Sequence, residues 1–315
     1  STSGTTGTAG DIHVNDAVNW SANKLTLNAQ HNININADLT ATGTAKLALE
    51  YGQATANGAG SDYVLSKGAK VNLPAGQNFS TQQGSAGIVK NFNVITALGA
   101  AGSTNGNDLQ GMNGNLAGYY VLGKDIDAAS TAGWNSGAGF DPIGKNATAF
   151  SGQLHGLGHV ISNLSINRPS DTLVGLFGSI AGTVRDIGVE NASVIGGTVG
   201  GAAAGILAGN ISGVVSRAHV SGSIKSSATV GTAGGLIGTV GVPALVYESY
   251  SSASVEGNHA AGGLVGYHFG LIQDSYATGK VFNNAYSAGG LVGINNGRIN
   301  RSYSTGEVSS TVRKG

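Results

Sequence analysis

A short phrase returns five times in the second half of the chain: a glycine, two large apolar residues, then glycine or alanine. Its copies are Gly175-Leu-Phe-Gly178, Gly205-Ile-Leu-Ala208, Gly235-Leu-Ile-Gly238, Gly263-Leu-Val-Gly266 and Gly290-Leu-Val-Gly293. The second positions of successive copies lie 30, 30, 28 and 27 residues apart. A period of this length is typical of a solenoid, in which each repeat buries its apolar side only against its neighbours.

Stacking of such repeats places equivalent residues above one another at about 4.8 Å, the spacing between neighbouring β-strands. The second position of the phrase is therefore predicted to form an interior structural ladder of Leu176, Ile206, Leu236, Leu264 and Leu291. A second interior column should contain Val184, Val215, Val246, Ile272 and Ile299. The paired glycines either turn the backbone with positive φ or let neighbouring coils approach closely.

A shorter period runs from Asp11 to about Tyr51. Apolar residues alternate there over a few positions at a time, which is typical of half-buried strands. Equivalent residues recur after 21 or 22 positions, as in Ile12 and Ile33, Val18 and Leu39, Leu25 and Leu47. Three short strands in a coil of this length predict an all-β chain, a solenoid with the triangular cross-section of a parallel β-helix.

This rhythm divides the chain into four predicted stretches of one continuous solenoid. Regular coils occupy residues 1–53, looser coils with loop excursions 54–118, lead-in coils 119–170, and the five repeats 171–315. Within the second stretch, Asp108–Met112 predicts a short helix or an excursion loop. Because the chain opens at Ser1 inside a Ser/Thr/Gly stretch, we expect it to be a piece of a longer protein.

Composition supports a packed repeat protein and excludes several partners. Gly is 54 of 315 residues, more than twice the usual share of about 7%, and the 40% apolar fraction is enough for a core. Net charge is zero and no basic stripe occurs, which argues against nucleic acid as a partner. The chain has no cysteine for disulfides or thiolate metal sites. No apolar run reaches the roughly 18 residues of a membrane span.

A second phrase follows the glycine phrase in the repeats: an apolar strand and then a Ser-Tyr corner. The Ser-Tyr pairs stand at positions 249–250, 275–276 and 302–303, and an earlier repeat has His219 in place of tyrosine. The column His219, Tyr250, Tyr276 and Tyr303 is therefore predicted to stack ring on ring. Two interpretations remain open, a packing stack that shields a corner and a solvent-facing platform for glycans.

Three stretches of sequence resemble known families. Gly262-Gly-Leu-Val-Gly266, followed by Ser275-Tyr-Ala-Thr-Gly-Lys-Val281, resembles the GLUG motif, and the segment from Phe150 to Ile166 is similar to the lead-in of such repeats. Trp20-Ser-Ala-Asn-Lys-Leu-Thr-Leu27 and Asn32-Ile-Asn-Ile-Asn-Ala37 resemble the repeats of filamentous haemagglutinin-like exoproteins. The resemblance covers nearly the whole chain and is strongest after Tyr119.

The haemagglutinin-like resemblance implies a right-handed β-helical fibre, secreted by two-partner secretion across the outer membrane of a Gram-negative bacterium. Such proteins act mostly as adhesins or biofilm matrix proteins at the cell surface. The resemblance implies an outer-membrane secretion partner for the full-length protein and surface glycans or exopolysaccharide as ligands. Because the family's secretion domain is absent, we expect an interior shaft segment. Its open coil ends favour end-to-end or side-by-side self-association.

Candidates for chemistry are sparse, so we expect no enzyme and no cofactor. A β-helix lyase or glycosidase needs several carboxylates on one face, whereas only Asp125 and Asp127 share a side of one strand, with Asp141 further along. These two aspartates are weak candidates for a calcium site. His155 and His159 are four residues apart, but the two glycines between them remove the helical geometry of a zinc site. Outward surface ion pairs are predicted from Arg185, Asp186, Arg217, Asp274 and Arg301.

Overall fold

The computed structural model describes residues 10–66, 68–145 and 148–311. The chain is nearly all β, a right-handed parallel β-helix with three strands in each coil and about 10 turns, which confirms the predicted fold class. Its residues form two compact units. The first contains residues up to 97 together with 118–125 and 154–159, and the second contains 98–117, 126–153 and the residues from 160 onwards. The division of the sequence rhythm into four stretches stays a prediction.

The first eleven strands belong to the first unit. They are β1 (Ile12–Val14), β2 (Val18–Trp20), β3 (Lys24–Asn28), β4 (Ile33–Ile35), β5 (Leu39–Ala41), β6 (Lys46–Tyr51), β7 (Tyr63–Leu65), β8 (Val71–Asn72), β9 (Gly76–Gln83), β10 (Lys90–Ile95) and β11 (Tyr119–Leu122). Three parallel ladders run through them, β1–β4–β7, β2–β5–β8 and β3–β6–β9. Each coil of the unit thus contributes one strand to each face.

The register in this unit follows the spacing of the sequence. The paired residues are Ile12 with Ile33, Val18 with Leu39, and Leu25 with Leu47, as the sequence predicts. Because side chains alternate across a strand, one residue in two points inward, and Ile33, Leu39 and Leu47 are all buried. The parallel pairing is interrupted between β9 and β10, which pair antiparallel, and it resumes between β10 and β11. The looser pattern of the sequence after Ala54 reflects the long connection 52–62 between β6 and β7 and then this hairpin.

The remaining elements are two 3₁₀ helices, Gln110–Gly114 and Ala129–Gly137, and further strands. The first helix overlaps Asp108–Met112, where the sequence predicts a short helix or an excursion loop. The strands are β12 (Ile126–Asp127), β13 (Gln153–His155), β14 (Val160–Ser162), β15 (Ser165–Arg168), β16 (Leu173–Val174), β17 (Phe177–Ile180), β18 (Thr183–Gly196), β19 (Ala203–Gly205), β20 (Ala208–Ile211), β21 (Val214–Ser226), β22 (Thr232–Gly234), β23 (Ile237–Val240), β24 (Leu245–Tyr247), β25 (Tyr250–Ser251), β26 (Ser254–Gly257), β27 (Ala260–Gly262), β28 (Val265–His268), β29 (Leu271–Gln273), β30 (Tyr276–Ala277), β31 (Val281–Asn283), β32 (Ser287–Gly289), β33 (Val292–Asn295), β34 (Arg298–Asn300), β35 (Tyr303–Ser304) and β36 (Val308–Ser310). No helix among the described residues has the length and apolar character needed to cross a membrane.

The second unit is built on the five repeats. Two five-stranded parallel ladders run through them, β16–β19–β22–β27–β32 and β17–β20–β23–β28–β33. The third face begins with the long strands β18 and β21, and in each later coil three short strands take their place. The register stacks Val184, Val215, Val246, Ile272 and Ile299 in one column, as predicted.

The glycine phrase lies where the chain turns from the first of these ladders into the second. Gly266 does not have a positive φ. A Cβ atom at this position would lie only 2.7 Å from the carbonyl oxygen of Gly238 in the neighbouring coil and 2.9 Å from the backbone nitrogen of Ala233. Glycine is therefore required here by the close approach of three backbone segments rather than by a turn conformation.

One member of the predicted interior ladder is wrong. Gly205 pairs with Gly234 and Ala208 pairs with Ile237, so positions 206 and 207 between them align with 235 and 236. Leu207, and not Ile206, is therefore in line with Leu236, although all three of these large side chains are buried. The cause is one additional residue in this coil, since position 174 pairs with 204 but position 177 pairs with 208.

The repeat coils differ in length mainly at two corners. Between the third and first ladders the connections are residues 197–202, 227–231, 258–259 and 284–286, and a longer connection, 241–244, joins β23 to β24. Exposed apolar side chains concentrate at these corners: Val230 is 60%, Tyr286 67% and Val242 73% exposed. The ring of Tyr286 stacks on His259 with the ring centroids 4.7 Å apart.

Candidate functional site

The predicted aromatic column is formed by His219, Tyr250, Tyr276 and Tyr303, which occupy one register position of the third face. Successive ring centroids lie 5.1, 4.9 and 5.3 Å apart, and the ring planes differ by only 11°, 3° and 8°. The parallel strands set this spacing, because the rings are attached at equivalent positions of consecutive coils. The inner rings are therefore covered on both faces by their neighbours.

The column begins at His219 because the preceding coil has no side chain to continue it. Gly188 occupies the equivalent position there, and a Cβ on this residue would lie 2.6 Å from Nε2 of His219. The same nitrogen lies 3.1 Å from the Oε1 atom of Glu190. His219 thus closes one end of the column through a carboxylate contact.

The column presents ring edges and hydroxyls to solvent. Tyr250 and Tyr276 are half-buried, and Tyr303, in the last described coil, is 57% exposed. Within the described residues, the hydroxyls of these three tyrosines make no hydrogen bond. Burial raises the pKa of Tyr250 and of Tyr276 above its usual value. Both phenols consequently stay protonated at neutral pH and are available as donors and as acceptors.

A second column of hydroxyls runs beside the aromatic column. This hydroxyl column consists of Ser252, Thr278 and Thr305, which are all exposed. The N–H of Thr278 donates to Ser251 at 2.9 Å and the N–H of Thr305 to Ala277 at 3.0 Å, so the three residues are in register. Each of these coils therefore carries one phenol and one aliphatic hydroxyl on the same face, although the Ser252 hydroxyl already donates to the carbonyl of Val220 at 3.3 Å.

The charges that flank the two columns are paired with each other. On one side, Nε of Arg301 lies 2.5 Å from Oδ1 of Asp274. On the other side, Nζ of Lys280 lies 3.1 Å from Oε2 of Glu307. These pairs leave the face around Tyr276 and Tyr303 without net charge.

The serine of each Ser-Tyr corner has a structural task. The hydroxyl of Ser275 donates to the carbonyl of Gln273 at 2.8 Å and accepts the N–H of Ser249, in the preceding coil, at 3.2 Å. Ser249 makes the equivalent pair of bonds with Tyr247 and Ala218, and Ser302 with Asn300 and Ser275. We call Ser249, Ser275 and Ser302 the serine ladder. It supplies partners to corner N–H groups that would otherwise be buried without one.

A charged corner precedes the serine ladder. It consists of Asp186, Arg217, Glu248, Asp274 and Arg301, whose φ values of 56°, 49°, 51°, 49° and 44° are left-handed. This conformation costs roughly 1–2 kcal/mol for a residue with a Cβ. Contacts between coils offset the cost: Arg217 lies 2.5 Å from Asp186 and 3.5 Å from Glu248, and Arg301 pairs with Asp274.

The prediction of surface ion pairs is wrong for part of this corner. The side chain of Asp186 is only 4% exposed and that of Arg185 only 10%, with 2.6 Å between their charged groups. Burial alone would raise the pKa of Asp186, but Arg185 and Arg217 outweigh it and hold the pKa below its usual value. Neighbouring coils cover these side chains, so the pairs are buried and directional rather than solvated.

The two weak metal candidates have protein partners. Asp125 contacts Nζ of Lys70 at 2.6 Å and Nδ1 of His159 at 3.0 Å. Asp127 accepts from the amide of Asn163 at 2.9 Å and from the N–H of Ala129 at 3.0 Å, and these bonds lower its pKa. Among residues 10–66, 68–145 and 148–311 there is no group of three His, Cys, Asp or Glu side chains that could hold a metal. The geometry thus favours structural roles for both aspartates.

The two histidines of the lead-in segment are buried in the first unit. Nδ1 of His155 lies 2.6 Å from the hydroxyl of Tyr63. Nε2 of His159 lies 3.0 Å from the carbonyl of Val71, so this nitrogen donates. Both side chains are held by neighbouring coils, and the pair does not form the helical zinc geometry that its spacing superficially suggests.

Sequence reasoning missed His268, which replaces an aliphatic residue in an interior column. Its register neighbours are Val240 and Asn295. The residue is fully buried, Nδ1 lies 2.7 Å from Oδ1 of Asn295, and Nε2 has no partner among the described residues. Burial lowers the pKa of His268. The available signal was its alignment with Val240, two residues after the glycine phrase.

Comparison with known proteins supports the repeat assignment. The family model described as the GLUG motif matches residues 257–281, which contain β27 to β30. The chain is 39% identical to Halomucin of Haloquadratum walsbyi over 150 residues, which are 43% of this chain and 2% of that protein. It is 38% identical over 71 residues to a protein of Evansella cellulosilytica provisionally named a Gly-rich membrane protein, 22% of this chain and 8% of that one.

A solved structure shares the fold. It is that of a Bacteroides ovatus protein provisionally designated an immunoglobulin A1 protease, with a TM-score of 0.51 and 18% sequence identity over 71% of this chain and 78% of that chain. At this identity the likeness concerns the fold alone. None of these similarities is to a two-partner-secreted haemagglutinin, so that part of the resemblance stays a prediction. The chain is a β-solenoid repeat protein in which residues 257–281 match the GLUG motif.

Proposed function

We propose that this chain is a structural shaft segment of a large, surface-associated repeat protein with an adhesive role. The observation that carries the proposal is the commitment of polar side chains to contacts between coils. The serine ladder, the charged corner and His219 all link neighbouring coils. Residues that could perform chemistry therefore hold consecutive coils in register, which is what a shaft under mechanical load requires.

The relatives support an extracellular or cell-surface location. One is named Halomucin and the other is provisionally named a Gly-rich membrane protein, and the chain spans 2% and 8% of their lengths. The proposal includes attachment to host cells, other bacteria or exopolysaccharide. It also includes secretion through an outer-membrane partner and a Gram-negative source. These parts are supported by the haemagglutinin-like phrases in the first half of the sequence.

We further propose that the segment is not an enzyme. The carboxylates that could act as acid and base are engaged: Asp125 with Lys70, Asp127 with Asn163, and Asp141 with Lys145 at 2.5 Å. An acid–base pair needs carboxylates free to face a substrate. The purified chain should leave a panel of polysaccharides and immunoglobulin A1 intact. Turnover that disappears in Asp125→Ala or Asp127→Ala would refute the shaft role.

A display experiment tests the shaft role directly. The chain is placed between a membrane anchor and a small antigen-binding domain on bacterial cells, and capture of antigen-coated beads is measured under flow. The native chain and an unrelated solenoid of equal length should both support capture. A flexible Gly/Ser linker with the same number of residues should support it poorly, because its ends fluctuate. Equal capture by the flexible linker would contradict the proposal.

A further inference from the structure

We propose that the aromatic column and the hydroxyl column together bind a neutral, linear, β-linked polysaccharide that lies along them with one sugar per coil. The proposal deepens the adhesive role, because it names the class of polysaccharide that this segment would hold, and it rests on that role for the surface location. Its site consists of Tyr250, Tyr276 and Tyr303 with the adjoining Ser252, Thr278 and Thr305, all in consecutive coils of the second unit.

The spacing of the site fits an extended sugar chain. Ring centroids of consecutive tyrosines lie 4.9 and 5.3 Å apart, close to the interstrand spacing of about 4.8 Å. A β-1,4-linked hexose polymer advances by about the same distance per residue. Each sugar can therefore lie beside the phenol and the aliphatic hydroxyl of one coil, and alternate sugars present opposite edges to them because successive β-1,4-linked residues are turned over relative to each other. An α-1,4-linked chain curves and loses this register after a few residues.

The chemistry of the site favours hydroxyl recognition over ring stacking. The faces of Tyr250 and Tyr276 are covered by their neighbours in the column, so a sugar cannot stack on them. Their hydroxyls, by contrast, have no partner among the described residues. The side-chain hydroxyls of Thr278 and Thr305 are also without hydrogen bonds there. Unbonded donors and acceptors at regular intervals match the hydroxyls of a polysaccharide.

The charge around the site selects a neutral polymer. Asp274 is neutralised by Arg301 and Glu307 by Lys280. Among the described residues, the charged groups beside Tyr276 and Tyr303 are thus held in pairs, and Glu190 lies at the closed end of the column against His219. Complementarity of charge therefore points to an uncharged glycan.

Titration of the purified chain with cello-oligosaccharides tests the proposal. Binding is measured by isothermal titration calorimetry with cellobiose, cellotetraose and cellohexaose, and with maltohexaose as the α-linked probe. Affinity should rise with the length of the β-linked series, and maltohexaose should bind much more weakly. Tyr276→Phe keeps the ring stack and removes one hydroxyl, so it should weaken cellohexaose binding about fivefold, the effect of one neutral hydrogen bond.

The matched control is Tyr286→Phe, which removes an exposed phenol outside the column and should leave the affinity unchanged. Absence of saturable binding of cellohexaose at millimolar concentration would overturn the proposal. Equal affinity for maltohexaose, or an unchanged affinity in Tyr276→Phe, would also overturn it. Each of these results leaves the display experiment unaffected, so failure of the glycan site and failure of the shaft role are distinguishable.

Discussion

The serine ladder makes a specific prediction for Ser275→Ala. The Ser275 hydroxyl is the acceptor for the N–H of Ser249, a residue that is only 1% exposed. Alanine preserves the backbone and nearly all the volume but removes that acceptor. The carbonyl of Gln273, which receives the Ser275 hydroxyl, keeps a second donor because the N–H of Glu248 lies 3.1 Å away. The substitution therefore leaves one buried group, the Ser249 N–H, without a partner.

The magnitude follows from this single loss. An intramolecular hydrogen bond contributes about 1 kcal/mol net, and a buried donor left without a partner costs about 1–3 kcal/mol. We expect Ser275→Ala to destabilise its coil by about 2 kcal/mol. Ser302→Ala should cost less, under about 1 kcal/mol, because Ser302 is half-buried in the last described coil and water can replace its hydroxyl.

Native-state hydrogen exchange is the appropriate assay, because solenoids open locally and a single global free energy is not well defined for them. The opening free energy is read from amides of β24 to β30. Ser254→Ala is the control, since Ser254 is an exposed hydroxyl of the same face. A change below about 0.5 kcal/mol for Ser275→Ala would refute the role of the ladder, as would equal effects of Ser275→Ala and Ser254→Ala.

Three further predictions follow from the second unit. Gly266→Ala should destabilise the repeat coils by more than about 2 kcal/mol, since its Cβ would lie 2.7 Å from the Gly238 oxygen. Thermal melts measure this loss, and an unchanged melting temperature would contradict the prediction. Asp186 has a lowered pKa, so it contributes stability that is lost as pH falls below about 3.8. Asp186→Asn should therefore reduce the fall in melting temperature between pH 5 and pH 2. An equally steep fall in the variant would show that Asp186 is not its source. His268 also has a lowered pKa, from a usual value of 6.5. The unfolded chain then takes up the proton first, and stability falls as pH drops below about 6.5. His268→Val should remove this loss between pH 7 and pH 5, and persistence of the loss would exclude His268 as its source.

The register of the fold was predictable because stacking in a parallel solenoid repeats the same residue types at the same positions. Ile12 and Ile33, or Tyr250 and Tyr276, can be paired from spacing alone, and the structure pairs them so. The aromatic column follows from that register without any tertiary information. Whether its rings expose faces or edges does not follow, since this depends on the orientation of each ring.

Two features could not be predicted from the sequence pattern: the alignment of Leu207 with Leu236 and the left-handed charged corner. Leu207 and Ile206 are both large and apolar, so an additional residue in their coil shifts the register without disturbing the hydrophobic pattern. The left-handed corner carries arginine and glutamate, which have no preference for that conformation. Ion pairs between the coils stabilise it, and such pairs depend on the neighbours above and below. The burial of Asp186 could not be predicted for the same reason, because it too depends on the coils above and below.

The two corners of variable length show which parts of the repeat unit can change in length and sequence and which parts are held constant by strand pairing. Ladders on three faces keep their register while the connections 227–231, 258–259 and 284–286 change in length. The same corners carry the most exposed apolar side chains of the described repeat coils, Val230, Val242 and Tyr286. Insertions and substitutions there alter the outer surface at little cost to the core, in the way that hypervariable loops diversify on a constant framework. A protein built from many such coils can therefore evolve different surfaces along its length while every coil remains compatible with the next.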